Sequence, residues 1–183
     1  MVKPDSVRTS KFLSLVLRHK PEEIGLVLDG NGWASVEELI RLANGHGTRL
    51  TKDLLEQIVA ENDKQRFALS DDGERIRASQ GHSIEVDLAL SPVQPPAVLY
   101  HGTASRFVES IRAGGLHSAN RRHVHLSADV ATATKVGQRH GKPVVLVVKA
   151  GGMAAAGHLF FLSANGVWLT ERVPVEFIDY PAE

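Results

Sequence analysis

Histidine, arginine and hydroxyl side chains crowd two short stretches, Arg121-Arg122-His123-Val124-His125-Leu126-Ser127 and Tyr100-His101-Gly102-Thr103. Near the N-terminus, Arg18-His19 closes an apolar segment, and Arg66 adds another cation. Guanidinium and imidazole groups without neighbouring acids suit a substrate that is itself an anion, such as phosphate. Neither stretch carries the cysteines or carboxylates that the usual hydrolases and metal sites need. His123 and His125 stand two apart, so on a strand they share a face. They could ligate a metal with His101 or His117 as a third donor, but no HExxH motif or carboxylate cluster accompanies them. Taken singly, each feature has an ordinary reading. Arg18-His19 complements a helix C-terminus, a favourable placement worth roughly 0.3–1 kcal/mol. Arg66 is an unremarkable strand-end cation, and Tyr100–Thr103 is a strand-to-helix turn. No GxGxxG or GxxxxGK[ST] pattern supports a Rossmann site or a P-loop.

The elements that must position these residues fall into two halves. Ser6–His19 reads as a helix, with Phe12, Leu13, Val16 and Leu17 at helical spacing and Pro21 as its stop. Ser35-Val36-Glu37-Glu38 is a capping box that opens a second helix through Ala43, and Thr51 caps a third through Glu61. Residues 66–70 and 75–78 flank Asp71-Asp72-Gly73-Glu74 as a hairpin. Ser91-Pro92-Val93-Gln94-Pro95-Pro96 predicts an extended linker. Beyond it, strands are predicted at 98–100, 124–127, 144–148, 159–162, 167–170 and 175–178. Helices are expected at 106–113, closed by Gly114-Gly115, and from Asp129 to Arg139. The expected fold is α+β in two lobes, residues 1–88 and 98–183, joined by a proline-rich linker at 89–97.

Composition narrows the class. The 183 residues carry no cysteine, which excludes disulfides, thiolate nucleophiles and Cys-ligated zinc. The opening Met1-Val2-Lys3-Pro4-Asp5 lacks an apolar signal region, and no run suits a membrane span, so a cytoplasmic protein is expected. Formal net charge is zero. Residues 1–88 hold 12 Lys and Arg against 15 Asp and Glu, and residues 89–183 hold 9 against 6. Any contact with nucleic acid must therefore be a local cluster rather than a basic face.

Seven motifs in order carry a resemblance. They are Leu-Arg-His-Lys-Pro at 17–21, Lys-Gln-Arg-Phe at 64–67, Tyr-His-Gly-Thr at 100–103, Gly-Leu at 115–116, Arg-x-His-Val-His-Leu-Ser at 121–127, Arg-His-Gly-Lys-Pro at 139–143 and Asn-Gly-Val-Trp-Leu-Thr at 165–170. Over nearly its whole length the chain resembles the RNA 2′-phosphotransferase family of KptA type, which acts in tRNA splicing. The resemblance implies a winged-helix-like RNA lobe followed by an ADP-ribosyltransferase-like NAD lobe of mixed β structure. It also implies NAD-dependent removal of an internal RNA 2′-phosphate, giving 2′-OH RNA, ADP-ribose 1″,2″-cyclic phosphate and nicotinamide. The family's essential Arg-His-Arg-Arg set falls on Arg18, His19, Arg66 and Arg121. Arg121 is preferred to Arg122 because the family pattern leaves one residue before the histidine. NAD contacts fall on His101, Gly102, Thr103, His125, Ser127 and Val167, with no metal and a monomeric enzyme expected. Ala119 departs from the methionine common in relatives. Alternatives are an ADP-ribosyltransferase that caps terminal phosphates of RNA or DNA, and a non-catalytic winged-helix regulator that senses a nucleotide.

Overall fold

The computed structural model describes residues 4–181, so Met1–Lys3 of the leader expectation lie outside the described residues. The chain divides into two compact units, Met1–Ala89 and Leu90–Glu183, each with its own apolar core. The protein is α+β, and its strand pairings are antiparallel among the described residues.

The first unit contains helices α1 (Pro4–Arg18), α2 (Val36–Gly45) and α3 (Lys52–Ala60). Its strands are β1 (Ala34–Ser35), β2 (Phe67–Leu69) and β3 (Arg75–Ala78), in the order β1-β3-β2. Leu13, Val16 and Leu17 of α1 are wholly buried with Leu39, Leu55 and Ile76, as the helical spacing predicts. Both N-caps form: Ser35 Oγ accepts from Glu38 N at 3.3 Å and Thr51 Oγ1 from Leu54 N at 3.2 Å. Strand β1 was not foreseen. Two residues carry no periodicity, and β1 exists because β3 offers it an edge.

The second unit contains strands β4 (Leu99–Ala104), β5 (Leu116–His117), β6 (Val124–Leu126) and β7 (Pro143–Val148). Later in the chain come β8 (Phe160–Leu162), β9 (Trp168–Thr170), β10 (Arg172–Val173) and β11 (Ile178–Asp179). Helices α4 (Val108–Gly114), α5 (Val130–Gln138) and α6 (Ala150–Ala155) lie between them. Two three-stranded sheets, β11-β7-β4 and β6-β9-β8, meet at one bridge between Tyr100 and Ser127, while β5 pairs with β10. Tyr100 N donates to Ser127 O at 2.9 Å and Ser127 N to Tyr100 O at 2.7 Å. The segment after Ala89 is tied into this unit: Val93 N donates to Phe160 O, and Gly151 N to Ala97 O.

Two local expectations change. Tyr100–Thr103 is not a turn beyond a strand. It lies inside β4, paired through Ala104 with β7. Residues 175–178 are not one strand. Val175–Phe177 forms a 3-10 turn in which Phe177 N reaches Pro174 O at 3.1 Å, leaving only Ile178 to open β11. Alternating apolar residues over four positions fit either form, and the preceding proline carbonyl favours the turn. Among the described residues, no helix is long and apolar enough to cross a membrane.

Candidate active site

The first unit draws together Arg18, His19 and Arg66. Helix α1 ends at Arg18, and the next two residues close it as a turn, with His19 N and Lys20 N both donating to Leu15 O. The Arg18 guanidinium reaches the Arg66 carbonyl at 3.5 Å through Nη2. That carbonyl also accepts from Ser79 N at 2.8 Å. Arg66 follows Gln65, whose φ of +42° lies in the left-handed region that L-residues avoid. The Ser79 hydroxyl holds this strained turn by donating to Gln65 O at 2.7 Å. Next along the chain, His82 is 5% exposed. Burial lowers its pKa to about 4, and the charges of Arg18, His19 and Arg77 push the same way. Ser83 then meets His19, with Oγ 2.9 Å from Nδ1. The sequence reading missed Ser79, His82 and Ser83, although His-Ser directly after a glycine at a strand's end was a visible signal.

The second unit draws together His101, His125 and Arg121. His101 Nδ1 lies 3.0 Å from the His125 carbonyl. A carbonyl only accepts, so this nitrogen carries the proton and Nε2 is the acceptor when the ring is neutral. Burial lowers the His101 pKa; the bond to His125 opposes that and nearby His140 reinforces it. Arg121 Nη1 lies 3.0 Å from His125 Nδ1. Guanidinium has no acceptor, so His125 accepts here and its ring proton sits on Nε2. Arg121 itself is set by a turn in which its N–H donates to Ser118 O at 2.9 Å. Ala119 in that turn has a φ of +49°, a strained backbone beside a candidate catalytic residue.

The remaining expected residues lie on β4 or next to β6 and β9. Ser127 follows β6 and bridges to Tyr100 on β4. Val167 precedes β9 and is held in the β8–β9 turn, its N–H donating to Ser163 Oγ at 3.1 Å. Thr103 is buried on β4. Gly102 answers to α5: a Cβ there would drive into the Ala133 carbonyl. Gly137 meets the same constraint from the other side, with Thr103 O at 2.6 Å from its would-be Cβ. His123 stands apart from His125's bond to Arg121, its ring centroid 5.6 Å from that of Phe161. Among the described residues, no three His, Asp or Glu side chains group as metal ligands.

Arginines beside imidazoles of fixed tautomer make a donor set suited to a transferase that handles an anionic group. Comparison with known proteins identifies the kind. A family model described as "RNA 2'-phosphotransferase, Tpt1 / KptA family" matches residues 4–172. A protein of Agrobacterium fabrum named "Probable RNA 2'-phosphotransferase" is 58% identical over 178 residues, covering 97% of this chain and 96% of its own. Proteins of the same name from Hahella chejuensis and Pseudomonas aeruginosa PAO1 are 60% and 61% identical, each across 93% of this chain and 91% and 94% of their own. The chain belongs to the RNA 2′-phosphotransferase, Tpt1 / KptA family, and is a transferase by class. A purely regulatory role is thereby set aside.

Proposed function

We propose that this enzyme removes an internal 2′-phosphate from RNA, such as one left by tRNA splicing, with NAD⁺ as the accepting co-substrate. The first unit is read as a winged-helix-like RNA lobe over residues 1–88. The second is read as an ADP-ribosyltransferase-like NAD lobe over 98–183, with 89–97 as linker, in a monomeric cytoplasmic enzyme. The observation that carries the reading is the hydrogen-bonded series His101–His125–Arg121. It joins the residues expected to hold NAD⁺ to the arginine expected to meet the phosphate.

The chemistry runs in two displacements. An oxygen of the RNA 2′-phosphate attacks the ribose carbon bearing nicotinamide; the C–O bond forms as the C–N bond breaks. The nucleophile is already ionised, so this step asks for positioning rather than a base. The neighbouring ribose hydroxyl then attacks phosphorus, and the bond to the RNA 2′-oxygen breaks. That oxygen gains a proton and the attacking hydroxyl loses one. Negative charge on the phosphoryl oxygens in this step is what fixed arginines stabilise. Arg18, His19, Arg66 and Arg121 are assigned to the phosphate. His101, Gly102, Thr103, His125, Ser127 and Val167 are assigned to NAD⁺, Gly102 through its main chain, since α5 already requires that it lack a side chain.

The test is incubation of a 2′-phosphorylated oligonucleotide with the enzyme, with and without NAD⁺. Loss of the 2′-phosphate only when NAD⁺ is present, with release of ADP-ribose 1″,2″-cyclic phosphate, supports the assignment. A stable ADP-ribosylated terminal phosphate as sole product would favour a capping enzyme.

A further inference from the structure

The strap that follows β3, residues 79–83, touches all three first-unit residues assigned to phosphate. Ser79 holds the main chain of Gln65 and Arg66. Ser83 is bonded to two consecutive residues at the end of α1: its N–H donates to Arg18 O at 3.0 Å, and its hydroxyl oxygen lies 2.9 Å from His19 Nδ1. The main-chain bond fixes where the hydroxyl sits, and the hydroxyl fixes the ring. Between them His82 is buried and pins the strap to the unit's interior. Gly32 packs so closely there that a Cβ on it would lie 2.9 Å from Val86 Cγ1 and 3.4 Å from His82 Nε2. With its pKa lowered to about 4, chiefly by burial, His82 adds no charge beside Arg18 and His19 at neutral pH.

We propose that Ser83 is a positioning residue that holds His19 through Nδ1, so that His19 exchanges its proton with the RNA 2′-oxygen through Nε2. The inference rests on the phosphotransfer reading given above. A serine hydroxyl can donate or accept. When His19 is a cation, both ring nitrogens donate, and Ser83 Oγ accepts from Nδ1. When Nε2 gives up its proton to the departing RNA oxygen, the Nδ1–H bond to Ser83 stays as it was. The ring therefore needs no rotation between its two protonation states. An alanine at 83 removes the partner that makes Nε2 the exchanging nitrogen, without touching the phosphate.

Two measurements on the full chain test this. Ser83→Ala and Ser83→Thr are compared with the unaltered enzyme in quenched single turnovers on a 2′-phosphorylated oligonucleotide with NAD⁺. Side-chain ¹⁵N spectra of the same proteins, with the His19 signals assigned from their loss in His19→Gln, report the protonation pattern of the ring. In Ser83→Ala the pattern should shift, and decay of the RNA-2′-phospho-ADP-ribose intermediate should slow roughly ten-fold, the size expected for one hydrogen bond. Formation of the intermediate should hardly change. Ser83→Thr, which keeps the hydroxyl, should restore both readouts. An unchanged His19 pattern in Ser83→Ala overturns the proposal whatever the rates, and so does a shifted pattern with both steps at full speed. Failure of the unaltered enzyme to act on the oligonucleotide would count against the phosphotransfer reading instead; the spectra would still decide whether Ser83 sets the ring.

Discussion

His101 and His125 are bonded ring to main chain, with His101 Nδ1 donating to the His125 carbonyl at 3.0 Å, while the His125 ring accepts from Arg121. Rotation of the His101 ring breaks its bond to the His125 main chain, and rotation of the His125 ring breaks its bond to Arg121. His101→Ala should therefore weaken NAD⁺ use, raising the apparent KM for NAD⁺ by roughly ten-fold for the loss of one fixed contact. Steady-state rates across a range of NAD⁺ concentrations check this, and unchanged kinetics would remove His101 from the NAD⁺ site.

Gly102 and Gly137 let β4 and α5 approach to main-chain contact. Gly102→Ala places a methyl against the Ala133 carbonyl, which cannot move without moving the helix. The cost should meet or exceed the roughly 1–3 kcal/mol typical of overpacking. For a unit of this size that is a fall in Tm of about 10 °C or more. Calorimetry would show it. A variant as stable as the original would mean that α5 shifts freely.

These residues mark what the sequence made legible and what it hid. Helices α1, α2 and α3 could be read because apolar spacing and Ser35 and Thr51 caps are local signals. The motif residues could be named, but their partners could not. Ser83 reaches His19 across 64 positions and Ser79 reaches Gln65 across 14, and nothing in a single chain announces such pairs. Gly102 shows the converse. The resemblance assigns it to NAD, yet the close approach that the structure demands comes from α5. Strands β1, β5 and β10, two residues each, owe their existence to a partner edge and carry no pattern of their own.

His82 makes stability depend on pH with a definite sign. Its folded pKa, lowered to about 4 from 6.5, means that the unfolded chain binds a proton more readily. The stability associated with a neutral His82 is present above about pH 6.5 and is lost as pH falls toward 4, at most about 3 kcal/mol. His101, also lowered, works in the same direction. Urea midpoints for the original and for His82→Phe should diverge in slope over that interval, with the variant flatter. Parallel slopes would show that His82 is protonated without penalty.

Activity should survive chelation. The histidines at 123 and 125 are engaged differently, one against Phe161 and the other with Arg121, and no third ligand joins them among the described residues. Prolonged treatment with EDTA should leave the rate on a 2′-phosphorylated oligonucleotide within error. Stoichiometric zinc, with activity lost on its removal and restored on its return, would reinstate these histidines as ligands.

The four residues assigned to phosphate should divide between the two chemical steps. Arg121 is bonded to His125, a residue assigned to NAD⁺, so its guanidinium is expected to orient the incoming phosphate at the ribose carbon. Arg18, His19 and Arg66 are all bonded to the strap at 79–83, and Arg18 also reaches the Arg66 carbonyl. They are expected to hold the phosphate when phosphorus becomes the electrophile. An imidazole is also the only side chain of the set able to exchange a proton near neutrality, which suits the second step, where the RNA oxygen departs. Removing a donor that acts on transition-state charge costs on the order of 10²–10³ in rate. Arg66→Ala and His19→Ala should accumulate RNA-2′-phospho-ADP-ribose, and Arg121→Ala should slow its appearance. Quenched time courses on a labelled oligonucleotide separate these cases. If all four substitutions slowed both steps alike and no intermediate built up, the division between the two steps would fail.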